Sequence, residues 1–481
     1  MRLPFPLPPR PSLFVAGLAV LGAGSVGCHS TDAPAPRALD LALPPAFTAA
    51  EATAPIVAGA WWQALDSDSL DALVIEALAN NHDLAAAAAR IASAEAQARI
   101  AGSARKPAVG LNASRNRAKN IFVGLPVPGG NVLESTATQW GVSLDIAWEA
   151  DLWGRLSSTV RAAEADAVAT AFDFEAARQS LAAQTTKAWI AWRLAAGQDG
   201  LAARTLETYR RDLQLVQDRF EAGLASNFDL RLSRARLEGA LAETEATDAA
   251  VEVAGRQLET IVGRYPAGEL ATEDELPGLP PLPGAGVPSE LVQRRPDLRA
   301  AAMRVAGADA RLDAARAERF PSFAIAASTG RVSDMFDDLS DDDFSVWSFL
   351  LSLAQPIYQG GRIDAGIDFA DATALALLEG YAQTALIAFL EVESSLAVDA
   401  PLAAQEAALG RALEEARVAR EIAEERYRAG LDDLFVVLEA DRTALQAERT
   451  LLEVRARRLD ARVDLHLALG GDIEPMTPAS L

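Results

Sequence analysis

Arg219-Phe220-Glu221-Ala222-Gly223-Leu224 and Arg426-Tyr427-Arg428-Ala429-Gly430-Leu431 stand 207 positions apart in a chain of 481 residues, and the offset is not local. Residues 155–263 lie on 362–470 without a gap, so that Gly154-Arg155 meets Gly361-Arg362 and Gly263 meets Gly470. Upstream the offset becomes 214, where Asp83-Leu84, Arg90 and Pro107 meet Asp297-Leu298, Arg304 and Pro321. The seven extra residues of the first copy must fall inside 114–139, where a longer loop is expected. A unit written twice supplies pseudo-equivalent elements to one closed architecture.

Each unit reads as helix, strand, strand, long helix, helix. Helical periodicity runs from Leu70 to Arg105 and stops at Pro107. Val142, Leu144, Ile146 and Trp148 alternate with Ser143, Asp145, Ala147 and Glu149, the pattern of a strand with one apolar face. Phe349, Leu351 and Leu353 repeat it, as Phe323, Ile325 and Ala327 repeat Val109, Leu111 and Ala113. Strands are expected over about 107–114, 138–149, 321–329 and 344–357. Long helices are expected over about 155–222, 226–262, 362–429 and 433–469. The first is a proline-free run whose rise of about 1.5 Å per residue makes a rod on the order of 100 Å. Leu431, Leu438, Leu445, Leu452 and Leu459 recur every seven residues, a coiled-coil signal. Repeat 1 occupies 61–264 and repeat 2 occupies 297–470. Between them 265–296 is a linker whose seven prolines argue against any regular element. Four strands do not close a barrel alone, and lipid does not tolerate an open strand edge, so an apolar face that meets lipid requires several protomers to pool strands.

The ends of the chain carry a separate message. Arg2 and Arg10 precede the apolar run Leu13–Leu21, which is too short to span a bilayer and reads as part of a signal peptide over residues 1–27. The sole cysteine, Cys28, follows Ser25-Val26-Gly27, which resembles a bacterial lipoprotein processing box with Ser where Leu is favoured. By that resemblance Cys28 is the acylated residue, and Ser30 rather than Asp two places on favours the outer membrane. Residues 28–60 form an Ala/Pro/Thr-rich tail and 471–481 a short C-terminal one. No later segment has about 20 uninterrupted apolar residues, so no transmembrane helix is expected. One cysteine permits no internal disulfide. A net charge of −23 argues against nucleic acid as a partner. The three histidines, His29, His82 and His466, show no zinc-binding spacing, and no P-loop or nucleophile elbow is present, so neither an enzyme nor a cofactor is expected.

Several stretches carry a family resemblance. Pro288-Ser289-Glu290-Leu291-Val292-Gln293-Arg294-Arg295-Pro296-Asp297-Leu298, Trp61-Trp62 through Ala77-Leu78-Ala79-Asn80-Asn81-His82-Asp83-Leu84, and Glu425-Arg426-Tyr427-Arg428-Ala429-Gly430-Leu431 with Leu438-Glu439-Ala440 resemble signatures of the TolC-like outer-membrane efflux proteins, lipoprotein branch. The similarity spans about 60–470. It implies a homotrimer whose twelve pooled strands form one outer-membrane barrel, continued into the periplasm by a helical coiled-coil tunnel. The implied role is a passive exit duct, served by a periplasmic membrane fusion adaptor and an inner-membrane transporter of the resistance-nodulation-division class. A non-conducting periplasmic coiled-coil scaffold lipoprotein is the alternative, and the lipid-facing band discriminates between them.

The same resemblance assigns candidate sites. Phe435 and Glu439 match apolar and acidic ring positions at the tunnel's closed end, with Glu439 in place of the more usual Asp; ordinary coiled-coil packing is the competing explanation. Asp432, Asp433, Tyr427 and Asp229 are further gate candidates, against helix capping for Asp432 and Asp433, which directly follow the Gly430-Leu431 turn, and for Asp229, which sits three residues after Ser226. Gly223, Leu224, Gly430 and Leu431 mark two helical tips offered to an adaptor, or simply turns that glycine permits. Arg115, Arg117 and Lys119 are expected in the first hairpin loop, opposite Asp337, Asp338, Asp341, Asp342 and Asp343 in the second.

Overall fold

The computed structural model describes residues 44–48, 59–122, 133–270 and 275–471. The expected signal peptide, Cys28 and the C-terminal tail beyond Gly471 lie outside them. A 3₁₀ turn, Trp61–Leu65, leads into α1 (Asp68–Asn80), α2 (His82–Ser103), β1 (Ala108–Phe122), β2 (Leu133–Ala150), α3 (Arg155–Glu221) and α4 (Asn227–Val262). The second copy follows as α5 (Pro288–Arg294), α6 (Pro296–Ala317), β3 (Ser322–Ser333), β4 (Ser345–Ala354), α7 (Arg362–Arg428) and α8 (Leu434–Ala468). Both long helices have 67 residues and begin at the same repeat position.

The helical reading from Leu70 to Arg105 missed a break at Asn81. Its backbone is extended (φ −66°, ψ 126°), and its side-chain oxygen accepts from the amides of Asp83 and Leu84, which starts α2 afresh. The second copy breaks at the equivalent Arg295 (φ −66°, ψ 123°), because Pro296 disfavours a helical residue before it. The linker therefore was misread: its last prolines open helices, with Pro288 and Pro296 in their first turns. Each breaking residue also reaches the end of a later helix. Asn81 donates to the Ile261 carbonyl at 2.9 Å and Arg295 to that of Ala468 at 3.1 Å, the same contact one repeat apart. Gly263, with φ +89°, is packed so that a Cβ would stand 2.7 Å from the Asn80 carbonyl, which leaves glycine as the fitting residue there.

The four strands form one antiparallel sheet in the order β1-β2-β3-β4. The first hairpin is longer than expected. Pairing continues to Phe122↔Leu133, so part of the seven-residue surplus is strand rather than loop, and Arg115, Arg117 and Lys119 sit in β1 instead of a loop. β4 is shorter than expected, ending at Ala354 before Pro356. The registers Leu111↔Leu144, Ile146↔Ala327 and Ala327↔Phe349 put the apolar residues on one face. The other face carries Asn112, Ser143, Asp145, Ser328 and Ser348, with Asp145 accepting from the hydroxyls of Ser143 (3.0 Å) and Ser328 (2.6 Å). Apolar residues on the first face are exposed, with Leu111 at 77% and Trp347 at 81%.

The core runs through the helical body in three clusters. Trp61, Trp62, Trp189, Leu258 and Leu459 gather where α1, α3, α4 and α8 meet. Leu298, Val392 and Leu465 join α6, α7 and α8, and Val216, Leu230, Tyr427, Leu434 and Val437 close the far end. Each fully buried large apolar side chain contributes about 1.5–3 kcal/mol. α6 is held between α3 and α7, whereas α2 packs on α3. α7 correspondingly keeps an open flank: Phe369 is 75% exposed although its repeat equivalent, Ala162, is 3% exposed. By length and composition α7 holds a window apolar enough to cross a membrane although it has no uninterrupted apolar run of that length, and most of that window is uncovered.

Candidate functional site

The two helical tips close by one device. Gly223 (φ +73°) and Gly430 (φ +72°) take left-handed backbone conformations. The amides of Gly223 and Leu224 return to the carbonyls of Phe220 (3.0 Å) and Arg219 (2.7 Å), and those of Gly430 and Leu431 to Tyr427 (3.0 Å) and Arg426 (2.9 Å). Both are Schellman closures, in which glycine is favoured because a Cβ strains that conformation. Leu224 (69% exposed) and Leu431 (68% exposed) are left projecting from the turns.

Beyond the turns the copies use different caps. Ser226 and Asp229 form a reciprocal capping box at the start of α4. Asp433 caps α8 by accepting from the Val436 amide at 3.3 Å. Asp432, expected to cap as well, instead takes a two-pronged ion pair from Arg426 at 2.7 and 3.1 Å, which holds its carboxyl below the usual range. Asp229, Asp432 and Asp433 thus each have a local structural task. Tyr427 joins the two tips: Arg219 lies 4.7 Å from its ring centre and donates to the carbonyls of Tyr427 and Arg428. Burial raises the Tyr427 phenol above its ordinary value.

Phe435 and Glu439 are one turn apart on α8 and line the same open groove of about 510 Å³, with α3 and α4 supplying Leu201, Tyr209 and Leu232. Phe435 is 68% exposed. Glu439 accepts from Arg442 at 2.6 and 3.1 Å, and that hydrogen-bonded pairing lowers its carboxyl within a protomer. Of the heptad leucines Leu459 enters the buried seam, whereas Leu431 is exposed and Leu438, Leu445 and Leu452 stand beside the seam. Leu434, Val437, Asp441, Ala444 and Leu451 are buried, while Leu438 and Leu445 face the groove. Sequence reasoning missed Arg442 and Arg219. The i, i+3 spacing of Glu439 and Arg442 was the available signal for the first; Arg219 acts across 208 positions and left none.

The sequence profile described as "Outer membrane efflux protein" matches residues 73–264 and 287–471, one match to each copy. The chain belongs to that family. This efflux protein is 31% identical over 430 residues to the pyoverdine export outer membrane protein OpmQ of Pseudomonas putida, covering 87% of this chain and 89% of the relative. It is 32% identical over 425 residues to the outer membrane protein OprJ of Pseudomonas aeruginosa, covering 85% and 86%. Among solved structures, the outer-membrane channel OprN superposes with a TM-score of 0.82 at 27% identity, covering 90% of this chain and 98% of that one. The fold is therefore that of the TolC-like channels, a helical tunnel with a barrel, and the function is that of an outer-membrane exit duct of efflux pumps. Members of the family are efflux channels rather than enzymes.

Proposed function

We propose that three copies of this chain close one twelve-stranded outer-membrane barrel, anchored by an acylated Cys28, and that Phe435 and Glu439 narrow the periplasmic end of the tunnel. The carrying observation is the pair of open strand edges, β1 and β4, on a sheet that gathers exposed Leu111, Leu144, Ile146, Phe349 and Leu351 on one face and Asp145 with Ser143, Ser328 and Ser348 on the other. Lipid accepts an apolar sheet only when its edges are paired. The uncovered flank of α7 supports the same closure, since the repeat would seat α2 of the next protomer where α6 sits on α3. The projecting Leu224 and Leu431 at the glycine turns are the contact points for a periplasmic membrane fusion adaptor, which couples the duct to an inner-membrane resistance-nodulation-division transporter. The cargo is set by those partners; relatives are named for pyoverdine export and toluene efflux.

Planar-bilayer recording of the purified oligomer tests the gate. Phe435→Ala raises single-channel conductance by widening the mouth, and Glu439→Ala reduces cation selectivity by removing the acidic ring. Wild-type conductance and selectivity in both variants would assign these residues to helix packing instead.

A further inference from the structure

β1 changes character along one face. Its positions on the apolar side of the sheet read Val109, Leu111, Ala113, Arg115, Arg117 and Lys119, whereas the alternate positions from Gly110 to Asn120 carry no charge. Leu111 opposes Leu144, Arg115 opposes Trp140, Arg117 opposes Thr138 and Lys119 opposes Thr136, so the three cations continue the apolar column instead of crossing to the polar side. All three are exposed. Lys119 pairs with Glu134 at 2.5 Å, and the Arg115 guanidinium lies 4.9 Å from the centre of the Trp140 ring. Arg115 and Arg117 have no carboxylate partner among the described residues. The acidic turn after β3 folds over the same face but is committed to β3: Asp342 pairs with Arg331, and Asp338 accepts from Ser333 at 3.1 Å.

The repeat does not duplicate the basic row. At the 214 offset Arg115, Arg117 and Lys119 become Thr329, Arg331 and Ser333, and the one cation that remains is the neutralised Arg331. Aromatic rings mark where the row begins. Trp140 meets Phe336 edge-on at 5.3 Å, and Trp347 stands on the same face, opposite Thr329. In a strand that crosses a bilayer such rings sit at headgroup level, and cations are costly on the hydrocarbon side of them, so side chains beyond the rings meet headgroups. α2 and α3 adjoin the other ends of the strands, next to Ala108 and Ala150. On the barrel reading above, which this inference needs, the row therefore lies in the outer leaflet.

The geometry points to a binding site for a phosphorylated glycolipid of the outer leaflet, with Arg115, Arg117 and Lys119 taking its phosphates. Guanidinium forks match phosphate oxygens in pairs, and Lys119 adds a point charge. A rise of about 3.4 Å per residue sets Arg115 and Lys119 about 14 Å apart, so one row serves phosphates at both ends of a disaccharide headgroup. The acyl chains of the same molecule lie on Leu111, Leu144 and Ile146 below it, which a free phosphate would leave unused. Trp140 holds the Arg115 guanidinium at the boundary between the two halves of the site.

The full-chain trimer in neutral detergent is titrated with lipid A, with enzymatically dephosphorylated lipid A and with phosphatidylglycerol, and bound lipid is counted by native mass spectrometry. The parent is expected to prefer lipid A over both others and to bind it less as salt rises. Combining Arg115→Gln, Arg117→Gln and Lys119→Gln should weaken lipid A binding by roughly fivefold per cation, about a hundredfold together. Arg105→Gln with Lys106→Gln, just before β1 at its other end, should leave it at the parental level. Glu134→Gln frees Lys119 and should tighten binding with the row intact, which keeps the site testable if the triple variant misfolds. Equal binding of dephosphorylated lipid A or of phosphatidylglycerol, parental binding by the triple variant, or no gain in Glu134→Gln would each overturn the proposal. Parental binding by a triple variant whose trimer melts earlier at low salt would reassign the row to contacts between protomers. Insertion of the trimer into phosphatidylcholine liposomes reads the barrel separately, so an inserted trimer indifferent to phosphate refutes this site alone.

Discussion

If the repeat governs closure between chains, the seam from β4 to β1 of the next protomer copies the seam from β2 to β3. β2 maps onto β4 at the 207 offset and β3 onto β1 at the 214 offset, so Ile146↔Ala327 becomes Leu353 against Ala113 of the neighbouring protomer, and Leu144↔Thr329 becomes Leu351 against Arg115. The faces agree, because Leu353 and Ala113 both lie on the apolar side; an odd slip would have set apolar residues against the polar face. Directly opposed residues hold their Cβ atoms about 4.5–5.5 Å apart, while the diagonal neighbour two positions away is at about 7–8 Å. A disulfide spans Cβ separations of about 3.5–4.5 Å, so small backbone adjustment suffices at the true pair and fails at the diagonal. Leu353→Cys with Ala113→Cys should give a covalent trimer on non-reducing gels after mild oxidation of outer membranes. Leu353→Cys with Leu111→Cys, or with Arg115→Cys, should remain monomeric when denatured. Efficient cross-linking at either diagonal pair and none at Ala113 would refute the seam.

Cys28→Ser should abolish incorporation of radioactive fatty acid while the protein still fractionates with the outer membrane, since one acyl chain gives only marginal anchoring beside a barrel; retained label removes the lipoprotein reading. Arg295→Ala deletes a buried bond to the Ala468 carbonyl (3.1 Å) and partly exposed ion pairs with Asp297 (2.8 Å) and Glu391 (2.5 Å), and should destabilise the helical body by about 2 kcal/mol in denaturant unfolding. Arg295→Asn should recover part of that loss by making the contact that Asn81 makes in the first copy. Asp460 is pushed up to about 6 by burial, and one of its oxygens is buried with no hydrogen bond. Its ionisation opposes folding, so thermal stability should rise as pH falls from about 6 towards 4, and Asp460→Asn should flatten that rise; an unchanged profile in the variant would place the titration elsewhere.

The large elements were legible because the chain states them twice. α3 and α7 begin at Arg155 and Arg362, as the offset requires, and the alternation around Leu144 set the sheet faces correctly. The failures have two causes, contacts distant in sequence and local signals that were not weighed. Asn81 breaks a run with good helical periodicity because its amide reaches Ile261, 180 positions away. The linker looked irregular because prolines were read as breakers when two of them begin helices. At the candidate site, Glu439 was legible as an acid, but the arginine that neutralises it was not weighed. Asp441 was hidden in the heptad: the leucine register pointed to Leu438 and Leu445, and the buried column runs beside them.

The order of strands also has a kinetic side. β1 with β2, and β3 with β4, are hairpins whose partners are close in the chain, so they form quickly. Ala150 and Ser322, by contrast, end neighbouring strands that are separated by α3, α4, α5 and α6. That middle seam is reached only after the intervening helices dock, with α6 lying on α3 like a splint that brings the second hairpin to the first. A chain in which this docking stalls carries four bare strand edges instead of two, so its helices act as internal chaperones of its own sheet.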